Sequence, residues 1–298
     1  MLSLPLLVTT LALAPTGNTS RLELDVGASV QSLSFTLNGG GLDDGASLGG
    51  QGGVGVTLFA SRVVDDDAPP SLQPYLQAVS QLHVDGGAGG FHAQPGPAST
   101  LPPNDSHNGY ADLSALGYAD RLLYGYLGIG TRYRSDTAGS FTSLALPLTV
   151  SGGVRLRDVR LSIGWSVAPT RVDDRAFEVP FWGGALAQLY AVVQRRVGLL
   201  AEVDVVEGGA SARGGATGYF QRRFSAGVSV NGGHGHESAY GLTFDQAGAG
   251  VSFQAWAAPR VAVAVDYSFQ WSRFAYANGA SEADYTNTVG LSFAVRPR

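Results

Sequence analysis

The 298-residue chain contains no cysteine. That excludes a disulfide framework, a thiolate metal site and a cysteine nucleophile. It contains no lysine either, so its 19 basic residues are all arginine. Charged residues make up only 14%, well under the roughly 25% usual in soluble domains. A net charge of −5 is the wrong sign for a nucleic-acid partner. Past residue 20 there is no apolar run of the length a membrane-crossing helix needs. P-loop and H-E-x-x-H patterns are missing, so no phosphate cradle or metal-bound water is specified and no enzyme is expected. No cofactor is expected.

Glycine, at 42 residues, and a strict two-residue alternation are abundant. In 261–272, Val261, Val263, Val265, Tyr267, Phe269 and Trp271 alternate with Ala262, Ala264, Asp266, Ser268, Gln270 and Ser272. On a strand these sets point to opposite faces. The pattern recurs in 22–31, 159–167, 197–205 and 289–295. Many runs reach ten residues, the length of a tilted membrane strand rather than a globular one. Connections alternate between tight links (157–158, 194–196, 221–222, 258–259) and Gly- or Asp-rich ones (36–52, 85–108, 169–176, 232–239, 275–283). Short turns at one end and long loops at the other are the habit of membrane barrels.

Aromatic residues sort by height. Phe35, Tyr133, Trp165, Phe177, Trp271 and Tyr285 fall near the long-loop end; Tyr75, Phe220, Phe224 and Phe293 fall near the short-turn end. Two aromatic girdles at two interfaces account for that. The expected fold is therefore an all-β, transmembrane, antiparallel up-and-down barrel. Its fourteen strands are 22–35, 53–64, 72–84, 109–118, 121–134, 141–154, 158–168, 177–193, 197–206, 211–221, 223–231, 240–256, 260–274 and 284–295; twelve is the alternative count. Closure is compulsory, because an open edge in hydrocarbon would leave a row of backbone groups unpaired.

Residues 1–20 read as a secretory signal, with an apolar stretch from Leu2 and cleavage after Ala14. Residues 21–298 then form one outer-membrane barrel domain. Outer-membrane lipid and lipopolysaccharide are the expected surroundings, with envelope proteins as further partners. Glu23, Asp25, Arg160, Glu202, Asp204 and Asp266 are predicted to face the lumen, where charge sets ion preference. Inward glycines (Gly164, Gly198, Gly227, Gly248, Gly250) are expected to leave lumen space, and a long outer loop, 85–108 especially, could fold in and plug it. Asp65, Asp66 and Asp67, ahead of two prolines, form an acidic turn that could engage a partner or a cation; a stiffened solvated turn is the plainer reading. Asp43, Asp44, Asp173 and Asp174 are read as loop solubility. His234, His236 and Glu237 share one predicted loop, His83, His92 and His107 are scattered around another, and no metal site is expected from either.

Residues 63–77, VVDDDAPPSLQPYLQ, resemble a segment of uncharacterised myxobacterial outer-membrane barrels, some linked to the envelope machinery of gliding motility. The whole pattern resembles porin-like barrels. These resemblances imply an outer-membrane location, and either passive passage of ions and small hydrophilic solutes or a non-conducting barrel anchoring a trans-envelope complex. The C-terminal Val295-Arg296-Pro297-Arg298 departs from the terminal aromatic residue of many such barrels.

Overall fold

The structure is a computed structural model. It describes residues 21–295 apart from 39–44, 62–71, 95–103, 120–121, 137–141, 174–175, 179–182, 207, 221–222, 238–241, 259–260, 278 and 280. Residues 1–20, expected to be a signal, Asp43–Asp44, Asp65–Asp67 and Asp174 lie outside the described residues.

The strands are β1 (Leu22–Asn38), β2 (Gly45–Phe59), β3 (Gln81–Gln94), β4 (Asn104–Ala119), β5 (Leu123–Asp136), β6 (Thr142–Ala145), β7 (Leu148–Leu156), β8 (Val159–Val167), β9 (Thr170–Val172), β10 (Gly184–Val193), β11 (Val197–Val206), β12 (Gly209–Phe220), β13 (Phe224–Glu237), β14 (Leu242–Ala258), β15 (Val261–Ala275) and β16 (Ser281–Val295). A single short helix, α1 (Gln73–Leu76), is found among the described residues. Each strand pairs antiparallel with its neighbours, β4 with β5 and β1 with β16 included. Apart from short β9, whose far side makes only the bridge Thr170↔Glu178, the described sheet closes on itself, as hydrocarbon demands.

The sixteen segments make a closed barrel of fourteen staves. β6–β7 is one stave interrupted at Leu146–Pro147, and β8–β9 is one interrupted at Ala168–Pro169. The breaks adjoin. Ala145↔Thr170 and Leu148↔Val167 keep one common register across them. Proline removes a ladder donor, but its carbonyl still accepts: Gly130 N–H donates to Pro147 O at 2.9 Å, and Leu146 N–H to Pro169 O at 2.9 Å. Both staves continue through the gap.

Sidedness follows the alternation. Ile163 is 75% exposed, and Val26, Val54, Val228, Val251 and Val289 are exposed alongside it on the outside of the wall. Their strand neighbours Ser162, Gly55, Gly227, Ser252 and Gly290 turn inward. An apolar surface running round the whole barrel is far larger than a soluble monomer tolerates, and marks contact with lipid. Tyr133, Trp165, Phe177 and Tyr285 are exposed at the long-loop end; Phe220, Phe224 and Phe293 are exposed at the short-turn end.

Several boundaries differ from the sequence reading. Gly45–Gly52 and Asp85–Gln94 belong to strands β2 and β3, not to loops. Residues 72–80 form α1 and its exit rather than a strand. β10 starts at Gly184, not at 177. Glycine shows no side chain to alternate, so the period-two signal is silent where the backbone still pairs.

Candidate functional site: the lumen and its inward segment

The link from β2 to β3 joins two strands at the short-turn end, so by position it should be a turn. Its described residues 72–80 lie instead inside the lumen. Leu72 (0% exposed) and Tyr75 pack against Tyr190, Val192 and Tyr219, with Leu76 and Leu200 alongside. These partners lie on β10–β12, across the barrel from the strands that carry the link. The segment therefore spans the mouth. Burying Leu72 and Tyr75 supplies roughly 1.5–3 kcal/mol each.

Polar contacts seat the same segment. Tyr75 meets Tyr190 edge to face at 4.8 Å between centroids. Arg155 Nη2 donates to Leu76 O at 2.5 Å, and its guanidinium lies 5.6 Å from the Tyr75 ring. Arg160 lies among three rings, 5.6 Å from Tyr75, 5.1 Å from Tyr124 and 6.0 Å from Tyr190. Such contacts gain strength as the cation loses water. At the exit of α1, Val79 packs on Phe59, and Ser80 Oγ accepts from the Tyr118 N–H at 2.9 Å. Burial pushes the Tyr75 phenol well above the ordinary tyrosine range, against the pull of Arg160 and Arg155. Further round the floor, Trp256, Ala262 and Ala294 form another buried apolar cluster. The inward segment seen among the described residues comes from the short-turn end; residues 95–103, the part of the 85–108 link between β3 and β4, lie outside the described residues. Tyr75, assigned by sequence to the lower girdle, belongs to the inward segment and faces no lipid.

Above this floor the wall is polar and knit across strands. Glu202 Oε2 accepts from Gln188 Nε2 at 2.8 Å and from Arg213 Nη2 at 3.1 Å, because Gln188↔Glu202↔Arg213 are in register on three adjacent strands. Asp112 Oδ1 accepts from Arg132 Nη1 at 2.6 Å, and Arg132 also lies 5.3 Å from the Tyr110 ring. His83 stands between Thr57 Oγ1 at 2.8 Å and Asp85 at 3.3 Å.

The six residues expected inward sit as follows. Glu23 is fully buried beside Thr57, its partner in register. Asp25 is half-buried on the same wall, opposite Gly55. Arg160 is in the α1 seat. Glu202 joins the triad above, and Asp204 lies one pair higher on the same face. Asp266 lies across Gly290, where a Cβ would come within 2.5 Å of its Oδ1. Gly198 likewise makes room for the Tyr190 hydroxyl, 2.9 Å from where its Cβ would stand. These glycines admit a neighbour's side chain against the wall instead of widening the lumen.

Sequence reasoning missed several lumen residues. Asp85 was lost with the mistaken loop, and His83, at the end of a predicted strand, was read only together with the histidines around that loop. Arg155 was taken as turn. Asp112 and Arg213 lie in predicted strands and were findable by alternation. His92 and His234 are on the outer face near the long-loop rim, each 2.7 Å from a cross-strand carboxylate, Asp105 and Asp245. His234 and His236 lie on β13, not in a loop. Among the described residues no three His, Asp or Glu side chains converge as metal ligands would.

No protein family and no curated protein matches the sequence. Solved structures do. A deletion mutant of the TodX monoaromatic hydrocarbon channel aligns over 94% of this chain and 91% of its own at 9% identity, TM-score 0.56. Omp33, an outer-membrane protein of Acinetobacter baumannii, aligns over 92% and 99% at 14% identity, TM-score 0.44. The translocator domain of the autotransporter NalP from Neisseria meningitidis aligns over 93% and 89% at 11% identity, TM-score 0.47. At such identities the TodX likeness shows the fold alone. That fold and the apolar outer belt together make the chain a β-barrel of the bacterial outer membrane.

Proposed function

We propose that the barrel is a passive channel for ions or small hydrophilic solutes, narrowed at its short-turn mouth by the segment around α1. The carrying observation is a polar inner wall in a barrel of fourteen staves. Eight staves are filled by their own side chains, so fourteen leave width to spare. Charged side chains on that wall, Glu23, Asp25, Glu202, Asp204 and Asp266 among them, then bias which ions pass. Outer-membrane lipid surrounds the belt, and lipopolysaccharide meets the long-loop rim.

Planar-bilayer recording tests this reading. The purified, folded barrel is expected to give discrete conductance steps, and their absence at every voltage would reject it. One observation favours a second reading, a non-conducting barrel that anchors envelope proteins: the buried packing of Leu72 and Tyr75 across the mouth. A variant lacking residues 72–79 separates the two. If it too stays silent, the anchoring reading stands in place of the channel.

A further inference from the structure

Arg155 and Arg160 are direct cross-strand partners, Arg155↔Arg160, on β7 and β8. Both are lumen-facing and half-buried. Like charges directly opposite one another destabilise a sheet, so such a pair calls for an anion. The described residues supply none. Among the described residues no carboxylate lies within 4.0 Å of either guanidinium, whereas Arg132 and Arg213 on the same lumen wall each have one. What the pair does have is neutral: tyrosine rings and one accepting carbonyl, Leu76 O. The buried Nε of each arginine has no hydrogen-bond partner among the described residues. A buried donor without an acceptor is destabilising.

We infer that Arg155 and Arg160 form a binding site for a small oxyanion, a carboxylate or a phosphate, at the short-turn mouth. The inference rests on the channel reading for its role and on the paired guanidiniums for its chemistry. Two planar forks side by side match the oxygens of one oxyanion, and arginine does this where lysine cannot. The ring of Tyr75 closes one flank. An anion there competes with Leu76 O for Arg155, so occupancy and the seating of α1 are coupled.

The test uses the full barrel in detergent and in bilayers, with inorganic phosphate and succinate as probes. Titration calorimetry is expected to show saturable binding of one or both, the stronger naming the source. Phosphate added on the short-turn side is expected to reduce single-channel current. R160Q should weaken binding at least tenfold. R160K, which keeps the charge and loses the fork, should fall between. R223Q, the same charge change on an exposed residue of the rim, should leave binding as it is. Heat-modifiable mobility verifies that each variant is folded. No binding to wild type, or equal binding to R160Q and R155Q, overturns the site. Binding that appears only in a D65N/D66N/D67N variant also overturns it, since the chain's own acids would then fill the pair. Conductance failing while binding persists refutes the channel and leaves the site; conductance indifferent to both anions, with no binding, does the reverse.

Discussion

The two ends of the lumen are built differently. At the short-turn end the wall is sealed by apolar burial: Leu72, Tyr75, Tyr190, Val192 and Tyr219 close on one another, and Trp256 packs on Ala262 and Ala294. Above it the wall is sealed by hydrogen bonds between side chains of neighbouring strands, as at Gln188–Glu202–Arg213 and Asp112–Arg132. The difference is one of reach. An apolar floor requires something from across the barrel to press against, which is why a connecting segment is drawn in. A polar wall satisfies itself locally and leaves the axis to solvent.

The contrast predicts graded effects. Replacing residues 72–79 with a short Gly-Ser bridge should raise single-channel conductance several-fold, because it removes the only described segment that crosses the mouth. If conductance is unchanged, the restriction lies elsewhere. L72A should come next. Emptying a fully buried leucine site costs about 2–5 kcal/mol of local packing, and faster hydrogen exchange at Tyr75–Val79, with longer open dwell times, reads it out. The upper wall should respond less. D112N leaves Arg132 without its carboxylate and costs about 1 kcal/mol at such a part-exposed pair. Its signature is a modest move of the reversal potential toward anions in a salt gradient, with conductance retained.

The smallest effect is expected at the phenol of Tyr75. Its hydroxyl donates to Tyr190 O over a long 3.5 Å, so Y75F should cost less than about 1 kcal/mol. The same substitution has a sharper readout in pH. The neutral phenol is the form that packs, and burial raises its pKa. Its contribution is therefore complete below the ordinary phenol value of about 10 and is lost as pH climbs through the raised one. Wild type should loosen at the mouth in strongly alkaline buffer, and Y75F should not.

Much of the fold was legible because lipid enforces period two on every residue it touches. Val26, Ile163 and Val265 announce one face, and Asp25, Ser162 and Asp266 the other. The pairing partners of Glu202 could also have been found once the strands were placed. Gly86–Gly90 was opaque for a physical reason: a residue without a side chain carries no sidedness. The segment at 72–79 misled for another. Leu72, Pro74 and Leu76 alternate by chance with Gln73, Tyr75 and Gln77, and a single helical turn is too short to show a period of its own. No local pattern can say that Tyr75 meets Tyr190, since that contact is made across the barrel by residues far apart in the chain.

One seam has a bearing on biogenesis. Nearly every stave hydrogen-bonds to the stave before and after it in the chain, so the sheet can grow by adding hairpins. The junction of β1 with β16 cannot: it pairs Leu24 with Val295, and neither edge finds its mate until the last stave has been delivered. Until then the growing ribbon carries two raw borders, the worst state to hold in oil. Whatever escorts this polypeptide to its bilayer must shield both borders and release them together, so the circle shuts in a single late step.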